Sequence, residues 1–142
     1  MCGFTGFLGE AEQPEMVLHK MMDRIIHRGP DSAGEFVEGE AALGFRRLSI
    51  IGLETGGQPF YSEDGRLVAM VNGEIYNFIE LRRTLINKGH VFQTESDCEV
   101  ILHGYEEYGE GILSKLRGMF AFVIWDRKKK QLFAGRDMFG IK

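Results

Sequence analysis

Near the end of the chain two apolar runs, Met119 to Trp125 and Gln131 to Gly135, flank the polar stretch Asp126 to Lys130, and that arrangement predicts a hairpin. A hairpin makes two strands antiparallel neighbours, so the sheet that holds them cannot be wholly parallel. The other elements fit around it. Cys2 to Leu8 sets aromatic and β-branched residues among glycines, as in a buried strand whose backbone is approached closely. Pro14 and Glu15 open a stretch with Val17, Leu18, Met21, Met22, Ile25 and Ile26 at helical spacing, which ends before Gly29-Pro30. A strand reading follows from Ala41 to Ile51, interrupted by Arg46-Arg47, and then a Gly-rich loop from Gly52 to Pro59. The apolar run Leu67 to Val71 reads as a strand that stops at Asn72-Gly73, the residue pair best suited to a tight turn. Asn77, with Glu80 three residues on, is expected to cap a helix bearing Leu81, Leu85 and Ile86 and ending at Gly89, and Asp97 to cap another bearing Val100, Ile101 and Leu102. This order favours an α+β layered architecture over a doubly wound parallel sheet.

A chain of 142 residues, 44% of them hydrophobic and spread throughout, can bury one sizeable core and implies one domain. Its 21 acidic and 17 basic residues are well mixed, and the one basic run, Lys128-Lys129-Lys130, falls in the hairpin turn, so no nucleic-acid partner is expected. No segment approaches the roughly twenty apolar residues of a membrane span, and the opening apolar segment lacks the basic start and length of a signal peptide. With only Cys2 and Cys98 there is no disulfide framework, which makes the cytoplasm the expected compartment.

Removal of Met1 would leave Cys2 with both a thiol and a free α-amine. The amine, with an unperturbed pKa of about 7.7 to 8.0, could take the thiol proton and make a nucleophile without any histidine. Asn72 and Gly73 could offer a side-chain and a backbone N–H to a developing oxyanion. Arg47 could hold a carboxylate in bidentate fashion and Asp97 an ammonium, which together would recognise an amino acid. Taken singly, each residue also has a plain reading: a small hydrophobe at a strand start, a hairpin turn, a surface ion-pair partner and a helix cap. His19, His27, His90 and His103 form no i, i+4 pair, and neither cysteine lies in a Cys-x-x-Cys motif, so no metal site is expected. A Gly-x-Gly-x-x-Gly or phosphate-loop pattern is also missing.

Read together, Met1-Cys-Gly3, His27-Arg-Gly-Pro-Asp31, Arg47-Leu-Ser-Ile50, Gln58-Pro59, Val71-Asn-Gly-Glu-Ile-Tyr-Asn77, Ser96-Asp-Cys-Glu-Val-Ile101, Gly118-Met-Phe-Ala-Phe122 and Gly135-Arg-Asp137 resemble the class II glutamine amidotransferases. The Asn-Gly-Glu-Ile-Tyr-Asn form is similar to the N-terminal glutaminase domain of glutamine-hydrolysing asparagine synthetases. The resemblance implies an N-terminal nucleophile hydrolase fold, a four-layer α/β/β/α sandwich of two antiparallel sheets. It implies Cys2 as nucleophile and Asn72 and Gly73 as oxyanion hole. It also implies Arg47 on the glutamine α-carboxylate, Asp97 on its α-amine, and Glu74 and the backbone near Ile50 lining the pocket. His27 to Asp31 is read as a structural loop or domain contact.

The implied activity is hydrolysis of glutamine to glutamate and ammonia through a γ-glutamyl thioester on Cys2. The ammonia would then serve ATP-dependent conversion of aspartate to asparagine in a C-terminal synthetase domain of the same full-length chain. No cofactor is expected in residues 1–142; ATP and Mg belong to that further domain. Because the sequence stops at Gly140-Ile-Lys142, inside a motif, the glutaminase domain is expected to be incomplete at its C-terminus. A synthetase-like amidotransferase acting on another carboxylate, and a glutamine-binding domain without turnover, stay open at this point, as does a homodimer.

Overall fold

A computed structural model describes residues 2–48 and 57–142, which form two compact units, Met1–Pro59 and Phe60–Lys142. In the first unit the chain runs through strand β1 (Gly3–Leu8), helix α1 (Pro14–Arg24), a short 3-10 turn over Ile26–Arg28, β2 (Ser32–Glu38) and β3 (Ala41–Arg47). The strands make an antiparallel sheet in the order β1-β3-β2, with Gly3 opposite Arg46 and Ser32 opposite Arg47. α1 begins with its proline at the first turn, where the missing N–H costs nothing, and buries Leu18 and Met22 against Ala42, with Phe7 and Val37 beside them. One face of the sheet is therefore the helix face. Side chains alternate along a strand, so Phe7, Ala42 and Arg46 point to that face and Leu43, Phe45 and Arg47 to the other.

The second unit holds β4 (Phe60–Tyr61), β5 (Leu67–Ile75), α2 (Phe78–Asn87), α3 (Glu99–Tyr108), the single turn α4 (Ile112–Lys115), β6 (Gly118–Asp126) and β7 (Gln131–Arg136). Its sheet is antiparallel throughout, ordered β4-β5-β6-β7. Leu81 and Leu85 of α2 and Val100, Ile101 and Leu102 of α3 bury against Ala69, Val71 and Ile75 of β5 and Phe120, Phe122 and Ile124 of β6. Residues Leu67 to Val71 are buried without a break, as an uninterrupted apolar run requires. Among the described residues no helix is long and apolar enough to cross a membrane.

The expected hairpin is present as β6 and β7, with Lys130 in left-handed conformation at the turn. Three expectations need correcting. Asn72-Gly73 is not a turn: β5 runs through it to Ile75, pairing Asn72 with Ala121 and Gly73 with Phe120. Arg46-Arg47 does not interrupt β3, whose pairing with β2 continues to Arg47. Asp97 is not the cap of α3; Cys98 holds that place and donates its N–H to Ser96 Oγ at 3.3 Å. Asn77 does precede α2, but its side chain makes no cap bond. Instead its Nδ2 donates to the Lys115 carbonyl and its Oδ1 accepts the Arg117 N–H, both at 2.9 Å. β2, β4 and α4 were not anticipated, and the expected strand end and loop at 49–56 lie outside the described residues.

At the other end of the β5–β6 pair, the buried Asp126 takes the Arg66 guanidinium through both carboxylate oxygens and also accepts the N–H groups of Lys128 and Lys129. The Arg66 hydrogen bond, backed by these N–H groups, holds Asp126 down from 3.8 to about 2 although burial opposes it. A depressed pKa means that this stabilisation is complete above the ordinary value and is lost as pH falls through the folded one. Asp126→Asn should lower Tm by roughly 5 °C near neutrality, and the gap from wild type should close as thermal melts are taken from pH 4 to pH 2.

Candidate active site

Cys2 lies one residue ahead of β1, half-buried, opposite the end of β3. Its Sγ receives the Leu48 N–H at 3.4 Å and stands 3.8 Å from the Leu48 carbonyl oxygen, which fixes the side chain beside Arg47. The strand alternation carried back from Phe4 puts Cys2 on the face away from α1, the face that Arg47 also takes. Arg46 is committed to the opposite side, where it donates to the Met22 carbonyl at 3.2 Å and to Asp23 at 2.8 Å. Of the two adjacent arginines, only Arg47 shares the Cys2 face.

The loop His27 to Asp31 holds this corner together. Arg28 donates to the Cys2 carbonyl at 3.4 Å, and the Asp31 N–H reaches the Arg47 carbonyl at 3.1 Å. Between them Gly29 packs so tightly on β3 that a Cβ there would stand 2.4 Å from the Arg46 carbonyl carbon and 2.5 Å from that of Arg47. No side chain fits at that crossing. The expectation of a structural loop is met, and its contacts fall on two of the candidate residues.

In the second unit Asn72, Gly73 and Glu74 follow one another near the end of β5. Val71 and Ile75 bury into the helix-covered core, so Asn72 and Glu74 project from the opposite face. The Tyr76 N–H donates to Arg117 ahead of β6 at 2.7 Å, whereas that of Ile75 donates to Asp97 Oδ2 at 2.6 Å, on the other edge of β5. Gly73, two residues before Ile75, turns its N–H and C=O to that same edge, and Cys98 Sγ meets its carbonyl at 3.4 Å. β4 pairs with β5 only at Ala69 and Val68, so it has ended before this point. Asp97 and the Gly73 backbone are thus gathered on one strand edge, with Asn72 adjacent. Ile50 lies outside the described residues.

Gly73 is needed for space, since its φ is not left-handed: a Cβ would sit 2.3 Å from the Met119 carbonyl oxygen and 2.7 Å from Phe120 Cα. The groove lined by His19, Asp23, Glu35 and Arg46 is on the α1 side of its sheet and contains none of the candidate residues. Groups able to hold a metal gather at Glu63, His90, His103 and Glu106 and likewise include none of them.

The family model described as a glutamine amidotransferase domain matches residues 1–142. The chain belongs to that family. Over 147 aligned residues it is 50% identical to asparagine synthetase [glutamine-hydrolyzing] 1 of Bacillus subtilis, covering all of this chain and 23% of the relative. It is 46% identical over 144 residues to asparagine synthetase [glutamine-hydrolyzing] 2 of Oryza sativa subsp. japonica, covering 99% of this chain and 24% of the relative. Among solved structures, the glutamine phosphoribosylpyrophosphate amidotransferase of B. subtilis, complexed with ADP and GMP, superposes with a TM-score of 0.72 at 27% identity, over 89% of this chain and 35% of that one. This glutamine amidotransferase domain therefore spans about a quarter of the length of the asparagine synthetases it matches.

The sequence pattern picked out Cys2, Arg47, Asn72, Gly73 and Asp97 but not the backbone partners that hold them. The Leu48 N–H at the thiol and the Ile75 N–H at Asp97 depend on sheet register, which no motif encodes. Replacing Gly73 by Ala forces β5 and β6 apart; Gly73→Ala should lose about 1–3 kcal/mol, seen as a fall of several degrees in a circular-dichroism melt.

Proposed function

We propose that this domain is a glutaminase that hydrolyses glutamine to glutamate and ammonia through a γ-glutamyl thioester on Cys2. The observation that carries the reading is the seating of the Cys2 thiol against Leu48 beside Arg47, in a chain matched along its whole length by the glutamine amidotransferase family. After removal of Met1 the Cys2 α-amine takes the thiol proton, and sulfur attacks the side-chain amide carbon. Asn72 Nδ2 and the Gly73 N–H stabilise the oxyanion, the amine returns the proton to the departing ammonia, and water then hydrolyses the thioester. Arg47 binds the α-carboxylate of glutamine and Asp97 its α-ammonium, with Glu74 and the Ile50 backbone lining the pocket. Asp97 suits this role because its Oδ2 is anchored on Ile75 and fixes the carboxylate in place.

The family supports the finer fold reading, an N-terminal nucleophile hydrolase four-layer sandwich in which residues 1–142 form one type 2 amidotransferase domain. Greater identity to asparagine synthetases than to the phosphoribosylpyrophosphate enzyme favours aspartate as the final acceptor of the ammonia. In that reading a synthetase domain of the full-length protein, working in the cytoplasm with ATP and Mg, consumes the ammonia made here.

Intact mass should show Met1 removed, and a γ-glutamyl electrophile should add once, at Cys2. Cys2→Ala should abolish ammonia release while glutamine binding persists; ammonia release at the wild-type rate in that variant would overturn the nucleophile assignment. Arg47→Ala removes a charge-assisted contact of about 1.5–3 kcal/mol, so KM for glutamine should rise about 10- to 100-fold in steady-state assays.

A further inference from the structure

We propose that Glu63, His90, His103 and Glu106 form a structural site for one divalent transition-metal ion, with Zn(II) the best match to its two imidazole nitrogens and two carboxylate oxygens. One ligand atom from each of the four lies within 4.8 Å of all the others. Glu106 Oε2 stands 2.9 Å from His103 Nδ1 and 3.5 Å from His90 Nδ1, and Glu63 Oε1 is 3.9 Å from His103 Nδ1. Ligand atoms about 2.0–2.1 Å from a tetrahedral zinc are about 3.3–3.4 Å apart, so closing the set means opening the Glu106–His103 contact by about 0.5 Å and drawing the most widely separated atoms together by up to about 1.4 Å, within the reach of side-chain torsions.

The surroundings orient both rings for this task. His103 is fully buried, and its Nε2 lies 3.4 Å from Glu99, a buried carboxylate held by the Gln93 N–H at 2.7 Å, the Thr94 N–H at 2.8 Å and the Thr94 hydroxyl at 2.6 Å. His90 Nε2 is 3.2 Å from Glu107, which is itself paired with Lys88 at 2.7 Å. A carboxylate on the outer nitrogen of each ring is the arrangement that fixes a metal-binding histidine with its other nitrogen toward the ion. Here both Nδ1 atoms turn to the same Glu106 oxygen. Glu63 is aimed in turn by the Val91 N–H, which donates to its Oε1 at 2.6 Å.

Three carboxylates, those of Glu106, Glu99 and Glu63, face the buried His103 ring at 2.9, 3.4 and 3.9 Å, so the pocket is one that favours positive charge. With four protein ligands the coordination is closed, which suits a structural role. The ion joins the β4–β5 connection, the α2–α3 connection and the body of α3. Spacing along the sequence did not reveal the set because Glu63, His90 and His103 come from separate segments that only the fold brings together.

The test is titration of the chelator-dialysed 142-residue protein with Zn(II), followed by calorimetry and thermal melting, with Co(II) absorption as a readout of coordination. One equivalent should bind, raise Tm by several degrees and give the visible bands of tetrahedral Co(II). Glu63→Gln and His90→Gln change side chains that are not fully buried and should keep the fold by circular dichroism, while each lowers Zn(II) affinity at least tenfold. Zinc held by Cys2 or by the His19–Glu35 pair would survive both substitutions. No uptake by the wild type, or equal uptake and affinity in both variants, overturns the proposal.

Discussion

The nine-residue antiparallel pairing of β5 with β6 is the constraint on which the second unit depends. It is fastened at one end by the Arg66–Asp126 ion pair and at the other by Tyr76 donating to Arg117 and Asn77 bridging Lys115 and Arg117. With register fixed at both ends, a slip by one residue would turn Val71 and Ile75 out of the core and Asn72 and Glu74 into it. Which face Asn72 and Glu74 occupy is therefore decided by contacts at the two ends of the strand pair.

Each unit covers one face of its sheet with helix and leaves the candidate catalytic side chains of its strands on the other. Arg46 is tied to α1, which assigns the non-helix face to Arg47 and Cys2; Val71 and Ile75 bury beneath α2 and α3, which assigns it to Asn72 and Glu74. The packing that stabilises each sheet thus also sorts its polar groups by face. Gly29 and Gly73 serve this arrangement at the same kind of point, where backbone must pass within a few ångströms of backbone.

Much of this was legible in the residues. The hairpin, α1 and the apolar run of β5 follow from periodicity, and the motif set identified the family before any geometry. The misreadings share a physical cause: local signals describe what a residue can do for its neighbours in sequence, and the fold used several of them for distant partners. Asn72-Gly73 has turn chemistry, but pairing with Ala121 and Phe120 carries the strand through it. Asn77 and Asp97 have capping side chains, but one is spent on Lys115 and Arg117 and the other on Ile75. The His90–His103 cluster left no trace at all, because Glu63 and His90 lie on two connections far in sequence from the α3 residues His103 and Glu106 that they meet.

Beyond the end of β4, the edge of β5 around Gly73 to Ile75 would offer backbone donors and acceptors to any extended peptide. Asp97 takes the Ile75 N–H and Cys98 the Gly73 carbonyl, so the entry to α3 lies along that edge in place of another strand. The contact that anchors a substrate-binding candidate is in this sense also a guard against edge-to-edge association, the hazard carried by every unpaired strand.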